Sequence, residues 1–221
     1  MAVVSQPSDR GAKIPVPGKL DSSLGEWWVD NPWEIASSGH NLSAYERKRA
    51  FLNVPGPNGR DFLDISYLTS ADNDGDGRSV VAGDFRNNGR LDLVLRQAGG
   101  GAVLLYENDF PQRHYLKVSL RGHKSNRLGI GSRLTAFVNG QQLVREMYPV
   151  NSFRSQMPNI VHFGLGDAEK IERLTIRWPS GKIQELKNLT GDRHIVIDEE
   201  KEGGAAVEVV TPGQIIATGL N

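Results

Sequence analysis

Two acidic turns hold the residues best suited to chemistry. In "DFRNNGRLD", residues 84–92, oxygen donors stand at Asp84, Asn88 and Asp92, with Gly89 at the bend. Upstream, "DNDGDG" places Asp72, Asp74 and Asp76 at alternate positions before Gly77. A hard cation such as Ca2+ gathers about 6–8 oxygens in one tight turn, and glycine permits the reversal that aims them inward. Both turns are therefore candidate calcium loops, and each carries a departure. Arg86 fills the third position of the 84–92 turn, where a calcium loop would carry Asp or Asn, and brings charge of the wrong sign into the shell. Either this turn binds ions weakly, or Arg86 itself replaces the metal by pairing with Asp84 or Asp92. The twelfth position counted from Asp72 is Gly83, so the bidentate closing Glu is missing, with Asp84 one residue on as a substitute. The plain alternative is a solvated turn, because Asp and Gly are what any sharp turn selects.

Other candidates lack an orienting context. His162, in "NIVHFGLG", is the histidine most suited to a general base, yet a base needs a partner to hold it and the sequence supplies none nearby. Arg154, Ser155 and Gln156 form a polar stretch between strands without the G-x-S-x-G turn of a nucleophilic serine. "QAGGGA", residues 97–102, has the glycines of a phosphate cradle but no Lys-Ser/Thr and no helix after them, and reads as a hairpin turn. No catalytic residue is assigned. Arg145, Arg154, Gln156 and His162 are candidates to line a polar pocket.

The elements that must position these residues are strands. Residues 1–25, rich in Pro, Gly and Ser, read as a disordered or extended lead. Residues 26–112 begin with Trp27, Trp28 and Trp33, continue through a short helix expected from Ser43, and then carry "DFLDISY", "RSVVAGDF", "LDLVLRQ" and "AVLLYEN" as a four-stranded meander the size of a propeller blade. Residues 113–200 hold seven runs from "HYLKVSL" to "RHIVIDE"; Leu116, Val118 and Leu120 alternate with Lys117 and Ser119, the period of half-buried antiparallel strands. Seven such runs predict an antiparallel β-sandwich, with a hairpin at Asn139-Gly140 and a turn on Pro179 and Gly181. Residues 201–221 are a C-terminal extension with a strand expected over 206–210. The fold class is all-β.

Composition narrows the function classes. The 26 Lys and Arg balance 26 Asp and Glu among 221 residues, so no global field draws the chain toward nucleic acid or a membrane surface. The absence of cysteine removes disulfides, thiolate nucleophiles and Cys-ligated metals. No apolar run reaches the length of a membrane span, and the first residues lack the apolar core of a signal peptide.

The motifs converge on a family. "ERKRAFLN", "DGRSVVAGDFRNNGRLDLV" and "LLYEND" resemble an FG-GAP/VCBS repeat, the calcium-loop blade unit of integrin-like propellers. "HYLKVSLRGHKSNRLGIGSRLTAFVNG", "SQMPNIVHFGLG" and "IERLTIRWPSGKIQEL" resemble the ASPIC/UnbV domain of cartilage acidic protein-like and bacterial exported proteins. The resemblance implies an extracellular or periplasmic location and a role in binding, and it carries no agreed catalytic residues. It maps the calcium loop onto Asp84, Asn88 and Asp92, with Arg86 as the departure. A propeller needs about four to eight blades, and one is present here. The blade must pack on the sandwich, pair with further blades or meet another copy.

The expected function is a non-enzymatic binding or scaffolding module with a protein or surface-polymer partner and a weak Ca2+ loop. One alternative is an enzyme or biosynthetic accessory whose pocket lies between the two β units. Another is carbohydrate binding through exposed Trp.

Overall fold

Alternating runs become strands throughout the second half of the chain. The computed structural model describes residues 19, 23, 47–73, 77–97, 102–150 and 152–211. Their regular elements are strands joined by turns, with short 3-10 turns such as Gly203–Ala206, so the chain is all-β. The chain divides into two compact units: one is formed by 1–79 and 95–104, the other by 80–94 and 105–221.

In the first unit β1 (Phe51–Gly56) and β2 (Gly59–Asp64) form an antiparallel hairpin in which Gly56 pairs with Gly59. The four-run meander is therefore split: "DFLDISY" pairs back onto residues 51–56, and only three runs share the other sheet. Behind the hairpin Ser66 is buried, its hydroxyl accepting the Ala50 N–H at 2.8 Å. The helix expected from Ser43 is absent over 47–50, and residues 43–46 lie outside the described residues. Bonds to residues 72 and 73, distant in sequence, engage this stretch instead. The Lys48 N–H donates to the Asn73 carbonyl at 3.1 Å, and Arg47 donates to the Asp72 carboxylate at 3.3 Å. Trp27, Trp28 and Trp33 also lie outside the described residues.

Strands β3 (Gly77–Gly83), β4 (Asp92–Gln97) and β5 (Leu104–Tyr106) form a three-stranded sheet in that order, and the division between the units runs through them.

The second unit contains the seven expected runs: β6 (His114–Arg121), β7 (Arg133–Val138), β8 (Gln141–Glu146), β9 (Val161–Gly166), β10 (Lys170–Arg177), β11 (Ile183–Thr190) and β12 (Arg193–Asp198), followed by β13 (Val207–Val209). They make two four-stranded sheets, ordered β11-β10-β7-β8 and β13-β12-β6-β9. Their apolar faces share one core: Leu116, Phe163 and Ile197 from one sheet and Leu134, Leu174 and Ile176 from the other are fully buried. At about 1.5–3 kcal/mol for each large apolar side chain withdrawn from water, this shared core is the main stabilising contribution of the unit. The pairing is antiparallel except that β12 runs parallel to β6. Turn chemistry is as expected at Asn139-Gly140, where φ of 47° and 73° gives the left-handed pair that a two-residue hairpin requires.

Candidate functional site

The 84–92 turn belongs to the second unit, and its ligands come from the chain itself. Asp84 bends the backbone around its own carboxylate: Oδ1 accepts the Asn88 N–H at 2.8 Å and Oδ2 accepts the Gly89 N–H at 2.9 Å. Oδ2 also accepts from Lys117 Nζ at 2.7 Å, and the same ammonium donates to Asn87 Oδ1 at 2.7 Å. Both members of the ion pair are withdrawn from solvent, with 4% of the Asp84 and 8% of the Lys117 side chain exposed. Burial alone would raise the Asp84 pKa. The Lys117 ammonium and the two turn amides outweigh it and hold the carboxyl below its ordinary value.

Gly89 is required for two reasons. Its φ is +84°, and a Cβ built there would sit 2.0 Å from the Tyr115 ring. Its carbonyl accepts the His162 Nε2 hydrogen at 2.8 Å. Donation from Nε2 fixes the tautomer in the neutral ring, so Nδ1 keeps its lone pair. Burial, then the charges of Lys117 and Arg145, depress the His162 pKa against the opposing pull of the Gly89 carbonyl and Asp84.

The remaining loop residues point to other partners. Asn88 Oδ1 accepts the Arg90 N–H at 3.0 Å. Asp92, 1% exposed, accepts from the Asn108 N–H at 2.8 Å and from Arg86 Nη2 at 2.9 Å. Its burial would raise the pKa, and the Asn108 amide, the Arg86 guanidinium and the Phe85 amide together lower it further than burial raises it. As arranged, these donors do not suit Ca2+: Asp84 and Asp92 are each matched by a side-chain cation, and the Asn88 amide oxygen is spent on its own turn. No group of three or more His, Asp or Glu among the described residues is disposed to hold a metal. In the upstream turn Asp72 pairs with Arg47 at 3.2 Å, while Asp74 and Asp76 lie outside the described residues.

A cleft of about 370 Å³ adjoins the turn within the second unit. Leu91, Met147, Met157 and Ile160 give it an apolar lining, Lys117, His162 and Arg145 add polar groups, and two carboxylates also line it, Asp84 paired with Lys117 and Glu146 paired with Arg133 at 3.8 Å. Arg145 and His162 are thus brought together as pocket residues. Arg154 and Gln156 are exposed and do not line it, and the Arg154 guanidinium lies over the Phe153 ring at 5.2 Å.

Two residues that matter escaped the sequence reading. Lys117 alternates with apolar neighbours and so looks solvent-facing, yet it is 6% exposed because the 84–92 turn covers it. Glu199 had no signal at all. Its carboxylate accepts the His123 and Ser125 amides at 2.6 and 2.9 Å and the Ser125 and Ser180 hydroxyls at 2.7 and 2.6 Å. Those four bonds overcome the penalty of burial and bring its pKa down to about 2. They tie the "SNR" segment to the "WPSG" turn, whose Trp178 is buried and donates to Gln184 Oε1 at 2.9 Å.

The segment joined in this way coincides with a known family: residues 122–204 match the family model described as ASPIC and UnbV. An ASPIC/UnbV domain is present. Among curated proteins none matches the chain. The ASPIC/UnbV match begins after β6 and ends in the 3-10 turn, so it takes in β7 to β12 of the sandwich. Several residues of the matched segment have architectural roles here. Ser125 and Ser180 hold Glu199, and Gly129, with φ +64°, lets the chain approach Leu120 to 2.8 Å from where a Cβ would stand. No described helix is long and apolar enough to cross a membrane.

Proposed function

We propose that the chain is a non-enzymatic binding module of an extracytoplasmic ASPIC/UnbV protein, and that the cleft beside the 84–92 turn receives an apolar protein segment bearing a carboxylate. The observation that carries this reading is the state of the polar groups at the cleft. The Lys117 ammonium is engaged by Asp84 and Asn87, and His162 Nε2 by Gly89. The Arg145 guanidinium donates to the carbonyl of its neighbour Val144 and lies over the Phe163 ring at 5.8 Å, with no ion-pair partner among the described residues. An apolar cleft whose own carboxylates, Asp84 and Glu146, are already paired and whose Arg145 lacks an ion-pair partner complements an apolar anion. The ASPIC/UnbV match supports the extracytoplasmic location. The FG-GAP/VCBS-like character of residues 26–112 and a cartilage acidic protein-like family rest on their motifs, and β3 to β5 would then adjoin further blades or another copy.

Amide chemical-shift mapping tests the cleft, with benzoate and phenylpropionate as minimal apolar carboxylates. Shifts gathered at Arg145, Met147, Met157 and His162, and weakened at least tenfold in affinity by Arg145→Ala, support it. Scattered shifts, or binding indifferent to Arg145→Ala, count against it.

A second reading, an enzyme or biosynthetic accessory, draws on the His162 Nδ1 lone pair beside the same cleft. Turnover of a p-nitrophenyl ester of phenylpropionate that His162→Gln abolishes favours it. Binding without turnover favours the binding module.

A further inference from the structure

The sheet β11-β10-β7-β8 buries one face and leaves the other open. Leu134, Ala136, Leu174 and Ile176 turn into the core, so the residues alternating with them turn outward. Register aligns the outward side chains in rows across the strands: Ile183, Arg177, Arg133 and Glu146 in one, Lys187, Arg173, Phe137 and Gln142 in another, with Thr175 beside Thr135 between them. The central strands, from Arg133 to Phe137 and from Arg173 to Arg177, therefore present three guanidiniums, two threonines and a ring on this face, and no carboxylate. We propose that this face binds an anionic polysaccharide, whose carboxylates or sulfates seat on Arg133, Arg173 and Arg177.

Charge points to the occupant. Arg173 and Arg177 are exposed and have no ion-pair partner among the described residues. Arg133 reaches Glu146 at 3.8 Å and Lys187 reaches Glu185 at 3.4 Å, both exposed pairs of the kind that water weakens. Carboxylates stand at the margins: those two on the edge strands, and Glu172 at the hairpin end, where it accepts the Asn139 N–H at 3.1 Å. Since the chain as a whole balances 26 cations with 26 anions, the guanidiniums gathered here are a local feature, and they attract anions over a screening length of about 8 Å. Each planar fork matches the paired oxygens of a carboxylate or sulfate. A broad sheet face suits an extended polymer, whereas small ligands require a concave site. Single-stranded nucleic acid is a poorer fit, because the Arg173 guanidinium covers the Phe137 ring at 3.9 Å and leaves no aromatic platform for a base. Of the residues on this face only Glu146 also lines the cleft, so the inference stands apart from the cleft reading.

Biolayer interferometry of the full chain on immobilised polygalacturonate and dextran sulfate tests it, with neutral dextran and single-stranded DNA as comparisons. Binding to the acidic polymers is expected, weakening as salt rises, and the tighter of the two tells carboxylate from sulfate. Arg173→Ser combined with Arg177→Ser should weaken it by about tenfold or more. Arg177→Ser alone should weaken it by about threefold and serves if the double variant fails to fold. Glu185→Gln, which releases Lys187, should strengthen binding, a gain that a merely structural role for these side chains would not produce. Arg145→Ala should leave it unchanged, which separates this face from the cleft. Binding no stronger than to neutral dextran would overturn the proposal, as would tighter binding to the DNA or indifference to Arg177→Ser.

Discussion

Lys117 lies in register with His194 across the parallel pair β6–β12, on the face of the sheet turned away from the core. His162 stands in register with the same lysine on its other side, across β6–β9. One ammonium therefore has an imidazole on each flank. Burial and then the Lys117 charge bring the His194 pKa down to about 4, and His162 is lowered too.

This row makes stability fall on acidification. The unfolded chain takes up protons on these histidines near pH 6.5, while the folded one refuses the His194 proton until about pH 4. The contribution is complete above about pH 6.5 and is lost as pH falls through that window. Below it, Asp84, Asp92 and Glu199 continue the loss in the same direction, because their folded pKa values are also depressed, Glu199 to about 2. A plot of Tm against pH should decline from 6.5 downward, and His194→Gln should flatten its upper part. An unchanged slope in that variant would contradict the assignment.

Gly89 and Gly140 both have positive φ, but only Gly89 faces a ring. Gly140→Ala meets nothing within 4 Å and should cost about 1–2 kcal/mol, the penalty of a left-handed backbone alone. Gly89→Ala adds a clash with Tyr115 and should cost about 2–5 kcal/mol, the backbone and overpacking penalties together. Urea denaturation of the two variants compares them directly, and equal losses would remove the steric role given to Tyr115.

Glu199→Gln keeps the shape of the buried carboxylate and removes its charge. Hydrogen bonds to a charged group contribute about 1.5–3 kcal/mol each, and the amide can still accept from some of the four donors. A net loss of about 2–3 kcal/mol at pH 7 is expected by urea denaturation, shrinking toward zero as the wild-type carboxyl protonates near pH 2. A neutral substitution at pH 7 would show that the knot adds nothing to stability.

The strands of the sandwich were legible because a period of two survives wherever one face meets a core, as in Leu116, Val118 and Leu120. The same period misplaced Lys117. Alternation reports which residues share a face, and it cannot reveal that a distant turn will cover the other one. Leu93 and Asp92 make the same point, for the leucine is 41% exposed and the aspartate buried. Arg86 was legible as a departure from a calcium loop, and its pairing with Asp92 is one of the two partners the sequence allowed. Glu107, Asn108 and Asp109 were invisible as its further partners, because they arrive from beyond β5. The parallel placement of β12 beside β6 also lies beyond local pattern, since it depends on which strands meet across the whole sheet.

The acidic turn is fixed to the sheet by the buried Asp84–Lys117 pair, and a double-mutant cycle measures that bond most directly. Lys117→Met and Asp84→Asn, each alone, should lose about 3–5 kcal/mol in urea denaturation by leaving a buried charge without its partner. The double variant should lose much less than their sum, with a coupling of about 2 kcal/mol or more. Additive losses would mean that the two side chains are neighbours without being partners, and that something other than this pair holds the turn in place.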